Sequence, residues 1–186
     1  MNESPHPCKS HERMNIFYVS HKPSRCARWH CDKHVVKMIL ETTQLLYTAH
    51  WVLRETPDFS TAPYRKDMTE RGYKSIRNRK HPSAIWTRES LQHYMWLCQL
   101  GKHLCQEYKH RFGAKKEHGS EKHIHWLSAN PPAELKDNGW KQPPQAMPEE
   151  FQRSNSISAY RAYYLGPKRE LLKYTKRNTP HWISKA

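Results

Sequence analysis

The stretch from Cys31 to Gln44, CDKHVVKMILETTQ, restricts the fold more than any other part of the chain. Stepped at about 100° per residue, Val35, Val36, Met38, Ile39, Leu40, Leu45, Leu46 and Ala49 take up most of a helix circumference. His30, His34, Lys37, Glu41, Gln44 and Thr48 are left on one stripe under about a quarter-turn wide. Surface helices show the opposite balance, with the apolar residues confined to a stripe. The pattern therefore predicts a helix enclosed on most sides, with its ionisable edge along a groove or seam.

Such a helix needs neighbours, and the rest of the chain offers mainly helices. Asn15 to Ser20, NIFYVS, reads as a short strand or an extended lead-in, and Met14 as the start of the fold proper. Pro23 and Ser24 open a helical region expected to run from about 24 to 53. Residues 57–81 are polar and basic and read as a loop with at most one short helix. A second long helix is expected from Pro82, a residue suited to a first helical turn, to a C-cap at Gly113. Leu91, Tyr94, Cys98, Cys105, Tyr108 and Phe112 recur along it at helical steps. Residues 114–156, rich in Pro, His and Gly, are expected to be mostly irregular. A last helical region starts near Ser156, breaks at Gly166-Pro167 and stops before Pro180. The fold class is mostly α: one compact helical domain over 14–186 with long irregular loops, behind a flexible tail at 1–13.

Composition says what such a domain meets. Lys and Arg number 32 against 17 Asp and Glu, a formal charge of +15. A surface of that sign displaces counterions from a polyanion, so nucleic acid, foremost double-stranded DNA, is the expected partner. No apolar run approaches the ~20 residues of a membrane span, and the mean hydropathy is −1.04. Hydrophobic residues make up only 36% of the chain, and seven Trp, ten Tyr and four Phe must supply much of the core. Five Cys without an export signal point to reduced thiols, a cytoplasmic setting and a monomer. Cys26, His30, Cys31 and His34 cluster within nine residues, but their spacing matches no paired zinc pattern. No metal and no cofactor is expected.

The candidate chemistry lies on the charged stripe. His34, Lys37 and Glu41 supply an acid/base, an amine and a carboxylate, with Lys33 as a second amine. His30, Asp32 and Gln44 flank them as substrate contacts. The plain alternative is a solvated edge with Lys37–Glu41 as a helix ion pair worth ~0.3–0.5 kcal/mol. Near the second helix start, His81 and Arg88 are candidate phosphate partners. Trp86 and Tyr94 are candidate stacking platforms there. Gln145, in the rigid segment PPQAMP, can read a groove. Tyr160 and Arg161 open a basic flank suited to contacting a backbone.

HCDKHVVKMILE, HPSAIWTRESLQHYMWLCQLGKHLCQEYKHRFG and the terminal TPHW together resemble the pyrimidine-dimer DNA glycosylase family, the endonuclease V type of phages and large viruses. The chain also looks like phage and giant-virus proteins that open MNIFY and carry a DKHVVKMILE box. The likeness covers most of residues 14–182 in layout. It implies a compact helical fold that binds kinked DNA and extrudes a base, with Arg111 of the RFG stretch among the substrate contacts. It also implies an amine that attacks the sugar carbon while a carboxylate, by position Glu41, assists. That family uses a free amino terminus, whereas thirteen residues precede Met14 here and Asn15 is large for Met removal. The amine is then Lys33 or Lys37, or the lyase step is absent. The expected function is a hydrolase or lyase of DNA repair acting on an extruded or damaged base. The alternatives are a base- or nucleotide-modifying enzyme on the same scaffold, or a non-catalytic DNA- or RNA-binding protein.

Overall fold

A computed structural model describes residues 14–184. The flexible tail expected at 1–13, with Cys8 in it, lies outside the described residues. Among the described residues there are seven α-helices, two 3-10 turns and no β-strand. The helices are α1 (Pro23–Trp29), α2 (Asp32–Leu53), α3 (Pro82–Glu89), α4 (Leu91–Phe112), α5 (Glu121–Ala129), α6 (Ser156–Leu165) and α7 (His181–Ser184). No helix among the described residues is long and apolar enough to cross a membrane.

The two 22-residue helices α2 and α4, each about 33 Å long, form the centre, with α1, α3 and α5 packed on them. Gly101 of α4 faces Thr42 of α2 and Ile124 of α5. A Cβ there would lie 2.9 Å from Ile124 Cδ1 and 3.1 Å from Thr42 Cγ2, so hydrogen is the only side chain that fits without a shift. Between α2 and α3 the chain is irregular apart from an isolated Tyr64–Arg71 bridge.

Residues 15–20 are the extended lead-in rather than a strand, and every one of them is buried. No strand pairs with them, so side chains meet their backbone groups. Cys26 Sγ donates to the Phe17 carbonyl at 3.4 Å, and Arg161 Nε donates to that of Val19 at 3.2 Å. Asn15 Oδ1 accepts from the Ile16 N–H at 2.8 Å. Phe17 holds a left-handed φ of 51°, a strained geometry for a bulky residue that its burial enforces.

Both long helical regions expected from sequence are broken once. The first bends at His30–Cys31, where Arg111 Nη1 and Nη2 donate to the carbonyls of His30 and Arg28, each at 2.8 Å. Those carbonyls are thus taken out of a continuous helix. The second breaks at Ser90, whose backbone is extended and whose Oγ caps α4 by accepting from Gln92 N–H at 3.3 Å. Asn138 N–H also donates to that Oγ, at 3.1 Å, which fixes the bend from 48 residues away. Residues 121–129 were expected to be irregular but form α5, which buries His123, Ile124 and Leu127. A short α7 follows Pro180, where the helical pattern was expected to have ended.

The core solves the shortage of aliphatic residues with tyrosine. Tyr18, Tyr47, Tyr94, Tyr160 and Tyr164 are all essentially inaccessible. A buried hydroxyl needs a partner, and four of the five use histidine. Tyr18 pairs with His21 at 2.7 Å, Tyr164 with His34 at 2.6 Å, Tyr47 with His123 at 2.9 Å and Tyr94 with His50 at 3.0 Å. Tyr160 donates to the Pro144 carbonyl at 2.8 Å.

Candidate functional site

The charged stripe of α2 divides by depth. His30 and His34 face inward, at 0% and 4% exposure. His34 stacks on Phe17 with ring centroids 3.9 Å apart. Burial is the main force lowering the His34 pKa, to about 2, with His30, Lys168 and Lys37 adding repulsion. Burial likewise lowers His30 to about 4. Both rings are therefore neutral packing groups at ordinary pH, not proton carriers. Lys33 points to solvent, and so do Val36 and Leu40, both expected inside but 40% and 38% exposed.

Two helical turns beyond His34 the edge changes character. Glu41 is 6% exposed. Lys37 Nζ lies 3.1 Å from its Oε1, and the Lys37 side chain is 55% exposed. Its Oε2 accepts the backbone N–H of Asn15, at 3.1 Å. Asn15 reaches on through Nδ2 to the carbonyl of Ala146, at 3.0 Å, and so ties the Glu41 carboxylate to the PPQAMP segment. Gln44, half-buried, continues the edge, and its carbonyl accepts from Thr48 Oγ1 at 2.7 Å. The site is a carboxylate rooted in protein with an amine at its mouth. Sequence reasoning found Lys37 and Glu41 by helical spacing but had no signal for Asn15, which arrives from 26 residues away.

Several expected substrate contacts are spent inside the fold. Asp32 accepts from Thr175 N–H at 3.0 and 3.1 Å, from Thr175 Oγ1 at 2.7 Å and from Arg111 Nη1 at 3.1 Å. Arg111, 2% exposed, also donates through Nε to Glu107 Oε2 at 3.1 Å. Glu107 in turn takes Arg177 through two hydrogen bonds of 3.0 and 2.8 Å. Burial alone would raise the Glu107 pKa, but hydrogen bonds and charge from Arg177 and Arg111 outweigh it and hold the carboxyl below its usual range. This four-member clasp joins α1, α2, α4 and the chain near residue 175, and neither Asp32 nor Arg111 is open to a ligand.

The expected stacking platforms are core residues. Trp86 is 3% exposed, donates to the Lys141 carbonyl at 2.9 Å and lies flat on His93 at 4.5 Å. Tyr94 is fully buried, its hydroxyl held between His50 Nε2 at 3.0 Å and the Leu127 carbonyl at 3.2 Å. Neither has a face for a base. Tyr160 is equally enclosed. His81 caps α3, its Nδ1 accepting from the Ser83 N–H at 3.2 Å. Gln145 is clasped by the Arg153 backbone through bonds of 2.7 and 2.8 Å. Arg88 and Arg161 are half-buried. Arg88 is partly buried with one Nη lacking a partner, and desolvation lowers its pKa. Arg161 leans over the rings of Trp29 and Trp182.

Among the described residues no three His, Cys, Asp or Glu side chains gather into a metal site. Cys26, His30, Cys31 and His34 are packed into the interior, and the Cys26 thiol is pushed up to about 12, chiefly by burial. Comparison with protein-family models, with curated proteins and with solved structures finds no match to this chain.

Proposed function

We propose that the protein is a DNA-processing enzyme of glycosylase/lyase type, with Glu41 as the carboxylate and Lys37 as the attacking amine. The observation that carries this reading is the 3.1 Å contact between a buried carboxylate and a half-exposed ammonium on α2. The surplus of 15 positive charges supports a polyanionic substrate. Lys33 lies two turns of α2 from Glu41, and His34 is locked against Tyr164 and Phe17, so neither competes with Lys37 for the role.

The chemistry runs on the lysine nitrogen. After its proton passes to solvent, the amine attacks C1′ of an extruded nucleotide, the C1′–base bond breaks, and the base leaves with the bonding pair and takes up a proton. The resulting ammonium gives up a proton, its regained lone pair expels the ring oxygen, which takes up a proton, and a protonated Schiff base to the enzyme is left. Glu41 faces the positive charge that this nitrogen carries after the attack and again in the protonated Schiff base. In a chain whose first residue were Asn15, the nitrogen already lying 3.1 Å from Oε2 would be an α-amine at the same carboxylate.

The test is borohydride trapping on ultraviolet-irradiated and abasic duplexes, with mass spectrometry of the adduct. A covalent adduct at Lys37 is expected, and Glu41→Gln should reduce it ~10²–10⁴-fold while leaving duplex binding within a few-fold. Base release without any trapped adduct would point to base or nucleotide modification by another route. Full activity of Glu41→Gln on every duplex would remove the catalytic reading and leave a nucleic-acid-binding protein.

A further inference from the structure

We propose that the cleft between α1 and residues 176–181 is a docking site for the sugar–phosphate backbone of a nucleic-acid strand. The inference takes its class of partner from the reading above but does not depend on the chemistry at Glu41. Two hollows of about 610 and 360 Å³ adjoin here and share Arg28, Trp29 and His181 as walls. Lys22 and Arg25 add further cations to one hollow, and Lys176 and Arg177 to the other. No carboxylate lines either. Of these cations only Arg177 is neutralised, by Glu107; Lys22, Arg25, Arg28 and Lys176 form no ion pair among the described residues.

Trp29 gives the cleft its geometry. Its ring carries the guanidinium of Arg25 at 5.6 Å and that of Arg161 at 5.1 Å, and Arg161 also lies 5.4 Å from the Trp182 ring. An arginine stacked on an aromatic ring uses its flat face and leaves its N–H edge free in the plane, the arrangement that meets phosphate oxygens in a fork. Trp29 thus holds Arg25 at the cleft without consuming its donors, and Arg161 lies over the same ring. Arg161 is further fixed by its Nε bond to Val19. His181 stands edge-on to Trp29 at 5.5 Å and is exposed at the mouth, where a ring can meet a base. A lipid surface would need an apolar face beside these cations, and the two hollows have none beyond Trp29 and one proline.

The experiment measures affinity of the full chain for a fluorescent abasic duplex over a salt series. Each backbone contact on a duplex contributes a log–log salt slope of about 0.9. The double variant Arg25→Ala/Arg28→Ala is expected to flatten the slope by about 1.8 and to weaken binding about 60-fold at ~0.1 M salt, with little loss near ~1 M. Lys22→Gln, a single exposed change, should flatten it by about 0.9 and keeps the test decisive if the double variant does not fold. Unchanged slope and affinity in the folded variants would overturn this proposal while leaving the Glu41 site untouched. So would unchanged duplex binding with loss of binding to phosphatidylserine vesicles, which would assign the cleft to a membrane. A wild-type protein that binds no duplex at any salt would overturn both readings.

Discussion

Acid should unfold this protein abruptly, because its core is held by neutral histidines. His30, His50 and His123 have pKa values lowered to about 4, and His34 to about 2, in each case chiefly by burial. Their exposures are 0%, 8%, 0% and 4%. A ring whose folded pKa lies below its unfolded value of about 6.5 takes up its proton only on unfolding. The stability it supports is therefore complete above about pH 6.5 and falls as the pH drops toward 4. Between about pH 7 and 5.5 each ring forfeits ~1.2 kcal/mol, so the four together forfeit ~5 kcal/mol as an upper bound. Native domains hold only ~5–15 kcal/mol in total. Urea unfolding at about pH 7.5 and 5.5 should show this loss as a collapse of the midpoint with the slope in denaturant unchanged. His123→Asn should remove about a quarter of the pH dependence and cost ~1 kcal/mol at neutral pH through the lost Tyr47 bond. A stability that changed by less than ~1 kcal/mol over that range would refute the argument, since the rings would then have to carry their protons in the folded state.

Two further outcomes follow from the interior. Arg111→Met strands the carboxylates of Asp32 and Glu107 and the carbonyls of Arg28 and His30. It should cost ~3–5 kcal/mol in urea unfolding, and a loss under ~1 kcal/mol would mean the clasp is dispensable. Cys26, Cys98 and Cys105, all buried with thiols pushed up to about 12, should resist iodoacetamide in the folded protein and react once urea unfolds it, as read by mass spectrometry.

The parts of this fold legible in the sequence are those set by local periodicity. The α2 pattern names Val35, Met38, Ile39, Leu45, Leu46 and Ala49 as core residues but wrongly adds Val36 and Leu40, and Lys37 and Glu41 meet because they are four apart on one helix. What failed to read locally was fixed from a distance. The bend at His30–Cys31 belongs to Arg111, 81 residues away, and the break at Ser90 to Asn138. Helix α5 shows only two aliphatic anchors among histidines, too few for a hydrophobic period. Asp32 was expected as a contact from its place beside the charged stripe and Arg111 from the family resemblance, and nothing local reveals that they neutralise each other across 79 residues. Trp86 and Tyr94 looked like platforms because an aromatic near arginine suggests stacking. In a chain with few aliphatics such rings are needed for the core first.

The same pairing explains where the charge goes. Asp32 and Glu107 against Arg111 and Arg177 make a cluster of zero net charge, so the excess of 15 stands elsewhere on the protein. The two kinds of arginine should then separate cleanly in experiment. Removing Arg111 lowers stability but leaves the salt slope of duplex binding as it was, because a buried, neutralised cation displaces no counterions. Removing Arg28 flattens the slope and leaves stability nearly unchanged, because an exposed side chain with no ion pair holds nothing in place. If Arg111→Met, in the fraction that remains folded, altered the slope as much as Arg28→Ala, the division between an internal clasp and an external docking surface would be lost.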